Sequence, residues 1–357
     1  MSAAKSANTI FPITAFTSDL QPDFILQYLP SSSEHGPVRR RLVIVGDVHG
    51  MRKSLEALLD QVGFNKSKGD HLVLVGDLVN KGPDSPGVVD LAMKLGASAV
   101  RGNHENAVLN AAAEINATHD REGLGCPGGL PGSPAIPKPP EVGATVRDSE
   151  IPDKSGSATM TDTPTSHSTA LGLLKRQLQW LAALPLIVRV KLPHVRTSSV
   201  GDALIVVHAG LVPGLSLKDQ DPHTVMHMRS LVRASGNEER FIPAEIPGEE
   251  SWVVEWDRWQ DRQASKTTVI FGHDAKRGLQ LGKYAIGLDS GCLYGHQLSA
   301  VVITAFDGKI EHHIVQVDCA DTPIAPTASV KEGEKIVVRR LAVVAPNGFY
   351  SDLTVKD

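Results

Sequence analysis

Leu42-Val43-Ile44-Val45-Gly46-Asp47-Val48-His49-Gly50 passes from four apolar residues straight into a Gly, a carboxylate and an imidazole. The same switch recurs along the chain. Leu72 to Val75 leads into Gly76-Asp77, Ala97 to Val100 into Arg101-Gly102-Asn103-His104-Glu105, Ala203 to Val207 into His208-Ala209-Gly210, and Thr268 to Phe271 into Gly272-His273. Short apolar runs rich in β-branched residues predict buried strands. Polar residues placed directly behind such strands fall at the carboxyl edge of an open α/β sheet, where ligands bind. A single Gly-Asp or Asp-x-His of this kind is an ordinary turn or cap. Five in series, each behind a strand, are not explained by turn chemistry.

The segments between the motifs complete the architecture. Leu55, Leu58, Leu59 and Val62 fall at helical spacing, as do Val88, Leu91, Ala92 and Leu95, so the first half is read as a β-α-β-α-β core with right-handed crossovers. Residues 116–169 break that rhythm: Gly and Pro recur from Cys126 to Pro140, and Ser and Thr dominate Ser155 to Thr169. Such a stretch buries too little apolar surface to offset ordering and is expected to be a disordered insertion. Ala170 to Leu184 resumes a helix. Leu186 to Leu192, Ala203 to Val207, Thr268 to Phe271, Tyr284 to Leu288 and Leu298 to Phe306 then predict strands of a second sheet. Trp252, Trp256 and Trp259 stand at helical spacing and are assigned to core packing, with a nucleobase-stacking surface as the sharper alternative.

Asp47, His49, Asp77, Asn103, His208 and His273 mix carboxylate, amide and imidazole donors without any Cys. That set suits hard or borderline cations in a catalytic site, not a thiolate cage. Two divalent ions about 3.5–4 Å apart need a bridging carboxylate and can share a water or hydroxide between them. Asp77, central in the ligand series, is the bridge on this reading. Zn, Mn and Fe all accept such donors, whereas an all-Mg pair is disfavoured because Mg prefers oxygen shells.

These motifs resemble those of the phosphoprotein phosphatase (calcineurin-like metallophosphoesterase) superfamily, over about residues 41 to 305. Gly76-Asp77-Leu78-Val79-Asn80-Lys81-Gly82-Pro83, His208-Ala209-Gly210 and Gly287-Leu288-Asp289-Ser290-Gly291-Cys292 look like its ApaH-like branch, whose fungal members include a zinc-dependent endopolyphosphatase. The resemblance implies a β-sandwich flanked by helices, an α/β metallophosphoesterase fold. It also implies one metal on Asp47, His49 and Asp77, another on Asp77, Asn103, His208 and His273, and His104 as general acid. Cationic contacts to phosphate would come from Arg101 or its neighbourhood, from Lys81 and from Arg229.

Asn80 departs from the protein phosphatases, which carry an Asp at this position that favours the protonated catalytic His. An amide orients an imidazole but supplies no negative charge, so His104 is expected to be less readily protonated. Phosphoanhydrides leave as stabilised anions and need less proton assistance. The expected substrate is therefore inorganic polyphosphate or a dinucleoside polyphosphate. The alternatives are a Ser/Thr protein phosphatase and a catalytically inactive phospho-binding scaffold.

Length and composition fit an enzyme: 357 residues with 21% charged side chains and a net charge of -4 leave no electrostatic footprint for nucleic acid. Arg39-Arg40-Arg41 is read as a solvated flank. The expected organisation is an irregular segment at 1–40, a metallophosphatase domain at 41–320 and a C-terminal extension at 321–357, with oligomeric state left open. Cys126, Cys292 and Cys319 make an odd number without any CxxC, so no disulfide framework is expected. Without an apolar stretch of membrane-spanning length or a signal-peptide core, a cytoplasmic setting is expected, with a vacuolar one as the alternative.

Overall fold

The computed structural model describes residues 11–20, 41–123, 163–192, 195–234, 237–248, 251–306 and 308–324. In chain order the strands are β1 (Thr17–Leu20), β2 (Arg41–Val45), β3 (His71–Leu74), β4 (Ser98–Ala99), β5 (Ile187–Lys191), β6 (Thr197–Ser198), β7 (Ala203–Val207), β8 (Ser230–Ala234), β9 (Asn237–Ala244), β10 (Thr267–Phe271), β11 (Gln280–Leu281), β12 (Ala285–Gly287), β13 (Gln297–Phe306) and β14 (Lys309–Asp318). The helices are α1 (Arg52–Val62), α2 (Ser85–Leu95), α3 (Asn103–Gly123), α4 (Thr163–Gly172), α5 (Lys175–Ala182), α6 (Pro222–His227) and α7 (Trp252–Asp261).

Side-chain alternation along the strands builds the layers. On β2, Val43 and Val45 turn outward and pack with Leu55, Leu58 and Leu59 of α1 and Val88 and Ala92 of α2. Leu42 and Ile44 turn the other way, onto Val188, Val190, Leu204, Val206 and Ile270 of the opposing sheet. The far face of that sheet buries Ile205, Val207, Val269 and Phe271 under Val225 and Met226 of α6 and Trp252, Val253 and Trp256 of α7. The result is a helix–sheet–sheet–helix sandwich. One sheet runs β4-β3-β2-β13-β14-β6, the other β1-β5-β7-β10-β12-β11, and β8 and β9 form a separate hairpin. Within the first, β2, β3 and β4 are parallel; within the second, β7, β10 and β12 are parallel. All five motif-bearing strands therefore end on parallel segments.

Several expectations need correction. Part of the N-terminal segment expected to be irregular is strand β1, parallel to β5. Its polar residue Asp19 binds Arg189 at 2.6 Å while Leu20 enters the inter-sheet core, and four residues of mixed polarity gave no strand signal. The flanks of the expected insertion are helical, because α3 continues to Gly123 and α4 begins at Thr163. The expectation of disorder between them, residues 126 to 140 included, falls outside the described residues, as do Arg39, Arg40 and everything after Ile324. The helix expected from Ala170 to Leu184 is interrupted at Leu174, whose extended backbone donates its N–H to the Gln177 side chain at 2.8 Å.

Arg41 is not a solvated flank. Its guanidinium grips both oxygens of Asp70 and the carbonyls of Val62 and Gly63, stapling β2 to the end of α1. Trp252 and Trp256 are core residues, and Trp252 lies 4.7 Å from the Phe271 ring. Cys292 and Cys319, 27 residues apart, are brought to an Sγ separation of 2.7 Å, both as free thiols.

Candidate metal centre

Each ligand loop bends sharply where its strand stops. Among the described residues, the non-glycine positions with positive φ are His49 (47°), Asp77 (50°), Asn80 (76°), Lys81 (68°) and His273 (72°). L-residues avoid that region, at a cost of roughly 1–3 kcal/mol each, and such strain gathers where function over-determines the backbone. Glycines make the close approach possible. A Cβ on Gly102 would sit 2.3 Å from Asp77 Oδ1, and one on Gly272 would sit 1.8 Å from Asp47 Oδ1. The residue before the ligand must be bare because the neighbouring loop's carboxylate rests on it.

Backbone carbonyls orient the imidazoles. His208 Nδ1 lies 2.9 Å from Val75 O, His273 Nε2 lies 3.1 Å from His227 O, and His49 Nδ1 lies 3.3 Å from Val79 O. A carbonyl only accepts, so each of these nitrogens carries the hydrogen and the other ring nitrogen of each histidine presents a lone pair. Those lone pairs converge. Asn103 Oδ1 is 2.9 Å from His208 Nε2 and 3.1 Å from His273 Nδ1. Asp77 Oδ1 accepts the His104 N–H at 3.0 Å, leaving Oδ2 at 3.3 Å from His208 Nε2 and 3.6 Å from His49 Nε2. Acceptors facing acceptors at such distances are reconciled by a cation, and the donor set of nitrogen and oxygen atoms fits divalent metal ions.

Electrostatics point the same way. Burial, then the charges of Asp289 and Asp77, push the Asp47 carboxyl well above the usual range. Burial opposes charge on His208, yet Asp77 and the Val75 carbonyl outweigh it and raise its pKa, drawing a proton to where a cation would sit. The donor atoms of Asp77, His208 and His273 lie within 4.8 Å of one another, and so do those of His49, Asp77 and His104. Asp47 belongs to neither group. Its two oxygens meet the His273 N–H at 3.1 and 3.0 Å, linking the loop after β2 to the loop after β10.

The other candidates stand around this centre. Asn80 Nδ2 lies 3.0 Å from His104 Nδ1, and Lys81 Nζ lies 3.1 Å from His104 Nε2. Burial is the main force lowering His104 to about 3, with Asp77 only partly opposing it, so the ring is neutral. Arg229 reaches the His273 carbonyl at 3.4 Å through Nη2 and the Glu245 carbonyl through Nη1. Arg101 is fully buried and donates to the Phe11 carbonyl at 3.3 Å, while its Nε and Nη1 have no acceptor among the described residues. It faces the N-terminal segment at that contact, not open solvent.

Sequence reasoning missed Glu105, the last residue of its own motif. Its carboxylate accepts the N–H groups of Asp77, Leu78, Val79 and Gly102, clamping two ligand loops together. Asp274, directly after Gly272-His273, and Asp289, inside the Gly287 to Cys292 run, are further carboxyls buried at these loops. The rarity of a Glu closing an Asn-His-Glu run was the available signal.

A β-sandwich with two clustered donor groups at its parallel strand ends defines a metallophosphoesterase. The profile of the calcineurin-like phosphoesterase family matches residues 40–302, and the chain belongs to that family. It is similar to the zinc-dependent endopolyphosphatase of Saccharomyces cerevisiae, 26% identical over 79% of this chain and 82% of that one. It is also similar to the symmetrical bis(5'-nucleosyl)-tetraphosphatase of Delftia acidovorans, 26% identical over 78% of this chain and 97% of the relative. A crystal structure of a protein assigned as a diadenosine tetraphosphatase superposes with a TM-score of 0.55 at 30% identity, covering 85% of this chain and 98% of that one. No helix among the described residues is long and apolar enough to cross a membrane.

Proposed function

We propose that the chain hydrolyses phosphoanhydride bonds, with inorganic polyphosphate as the favoured substrate and dinucleoside polyphosphates as the other candidate. The observation that carries this proposal is the pairing of His104 with an amide. The Asn80 amide nitrogen lies 3.0 Å from His104 Nδ1 and supplies no negative charge to the ring, and Lys81 Nζ lies 3.1 Å from Nε2. Lys81 brings a positive charge beside that ring, and an anionic phosphate oxygen fits next to it. A few ångströms away the converging lone pairs call for cations. Cation and anion sites side by side suit a phosphate chain.

Asp47, His49, Asp77, Asn103, His208 and His273 would hold two divalent ions, Zn, Mn or Fe, which when bound activate water and neutralise the phosphoryl oxygens. Lys81 and Arg229 would hold and neutralise the substrate. His104 would offer a ring proton to the departing oxygen. A neutral imidazole is a weak acid, adequate for an anhydride whose leaving phosphate is already stabilised and inadequate for an alkoxide.

An open cavity of about 630 Å³ adjoins the loop after His273 and supports a polymeric substrate. Lys276, Arg277, His296, Gln316 and the carboxylate of Asp318 line it, and among the described residues no Phe, Tyr or Trp does, so it offers two cationic side chains to phosphates and little for a nucleobase to stack on. The test is a product assay with added Mn or Zn on long-chain polyphosphate, diadenosine tetraphosphate and a phosphoserine peptide, with Asp77→Asn as control. Shortened polyphosphate with the peptide spared supports the proposal; a split dinucleotide with intact polyphosphate changes the substrate. Hydrolysis of the peptide alone refutes it.

A further inference from the structure

The thiols of Cys292 and Cys319 touch at 2.7 Å and take no part in the metal centre. Cys292 opens a short 3-10 turn, Cys292–Tyr294, and is buried; Cys319 directly follows β14 and is half-buried. Backbone hydrogen bonds hold both in place. Gly295 N–H returns to the Cys292 carbonyl at 2.9 Å, His296 N–H to the Gly291 carbonyl at 3.2 Å, and Cys319 N–H donates to the His296 carbonyl at 2.9 Å. The hairpin of β13 and β14, whose ladder closes at Gln297 and Asp318, thus brings the two sulfurs together.

The residues after Cys319 form an anchor. Ala320 N–H donates to Ser54 Oγ at 2.9 Å, Asp321 accepts the Ser54 N–H and hydroxyl at 2.8 and 2.7 Å, and Ile324 N–H donates to the Leu293 carbonyl at 2.8 Å. Met51, at the cap position of α1, makes no side-chain hydrogen bond, so Asp321 supplies from afar the oxygen that helix start lacks. Ser54 Oγ also lies 3.3 Å from Cys319 Sγ. On the other side, the Leu288 carbonyl presses on Gly46, where a Cβ would stand 2.3 Å from it. The sulfur pair therefore sits where β14, the 3-10 turn and the start of α1 meet.

We infer that Cys292 and Cys319 form an oxidation site, which hydrogen peroxide converts into one reversible disulfide that clamps residues 319–324 against the 3-10 turn and the start of α1. A single bond of this kind is no disulfide framework and agrees with an odd cysteine count. Cys319, the more exposed sulfur, is the one the oxidant reaches. Its thiolate, formed by loss of a proton to water, attacks the peroxide; an S–O bond forms, the O–O bond breaks and hydroxide leaves. Cys292 then attacks the sulfenic sulfur; the S–S bond forms, the S–O bond breaks, and the leaving hydroxide departs as water with the Cys292 proton. Two thiols and one hydrogen peroxide give one disulfide and two waters, with two electrons passing from sulfur to oxygen. Burial, then contact with Cys319, push the Cys292 thiol far up, which suits the resolving partner and not the first one oxidised. A thiol reductant reverses the bond.

The experiment treats the Zn-loaded parent chain, Cys292→Ser and Cys319→Ser with a small excess of hydrogen peroxide, quenches with catalase, and maps peptides under non-reducing conditions. Thermal unfolding is recorded before oxidation, after it, and after dithiothreitol. The parent chain should lose two thiols, yield a cross-linked peptide pair holding Cys292 and Cys319, and unfold about 5 °C higher, a gain that dithiothreitol removes. Neither variant should show the gain, and Cys292→Ser should hold Cys319 as a sulfenic acid that dimedone labels. Cys319→Ser, altered at the half-buried position, serves as the folded control if Cys292→Ser does not fold. Survival of both thiols, over-oxidation of Cys319 beside a reduced Cys292, or pairing of either sulfur with Cys126 overturns the inference. A mapped bond without a rise in the unfolding midpoint overturns the clamp.

Discussion

Glu105 Oε2 accepts the backbone N–H of Asp77 at 2.8 Å, so one buried carboxylate sets the height at which another, the candidate bridge, stands. The same oxygen takes Gly102 N–H at 2.8 Å, and Oε1 takes Leu78 and Val79 at 2.7 and 3.2 Å. Glu105→Gln would turn one oxygen into a donor opposed to backbone donors. Each buried N–H left unsatisfied costs about 1–3 kcal/mol. The variant is expected to lose about 2–4 kcal/mol in denaturant unfolding and to bind metal at least tenfold more weakly by titration.

Asn80→Asp would place a carboxylate on His104 Nδ1, where the amide stands at 3.0 Å. That charge favours the protonated ring, opposing the burial that lowers it to about 3. Hydrolysis of a simple phosphate monoester should rise relative to an anhydride, by about tenfold in the ratio of kcat/KM for each 1.4 kcal/mol of added stabilisation. An unchanged ratio would count against the link between amide and substrate class.

Asp77→Asn tests the bridge. Asp77 Oδ2 faces both His49 Nε2 and His208 Nε2, at 3.6 and 3.3 Å. Losing its charge should lower kcat by about 10³-fold and reduce bound metal measured by elemental analysis, since charge stabilisation of several kcal/mol depends on it. Retention of full metal content with full activity would remove Asp77 from that role.

His71 offers a pH test away from the centre. It sits in β3 with Nε2 at 2.9 Å from Ser98 Oγ, and burial, followed by the charge of Lys66, lowers it to about 4. The folded pKa lies below the unfolded value near 6.5, so the fold favours the neutral ring. The stabilisation is complete above pH 6.5 and is lost as the pH falls from there towards 4, in total about 3 kcal/mol. His71→Gln should flatten the fall in unfolding free energy between pH 7 and pH 4 by about that amount. Parallel pH profiles for the two proteins would refute this.

The motif loops were legible because each follows a short apolar run, a local feature that needs no partner elsewhere. Asp47, Asp77, His208 and His273 could thus be placed at strand ends before any tertiary contact was known. The helices α1 and α2 showed in their spacing for the same reason. What the sequence hid was non-local. Ser166 lies in a Ser- and Thr-rich run that gives no sign of its partner Asn80, 86 residues earlier. Arg41 looked like surface until Asp70 folded against it, and Asp19 needed Arg189 before four mixed residues could make a strand. Burial of polar side chains is decided by pairing, and pairing has no period.

The path of the chain through the two sheets has one more implication. Asp47, His49, Asp77 and Asn103 precede residue 124, whereas His208 and His273 follow residue 162. Yet β1 lies against β5 and β2 against β13, so each sheet is woven from both parts of the chain. Severing the backbone between 124 and 162 would leave two fragments interlaced like the fingers of clasped hands, neither able to assemble a full complement of metal donors without the other.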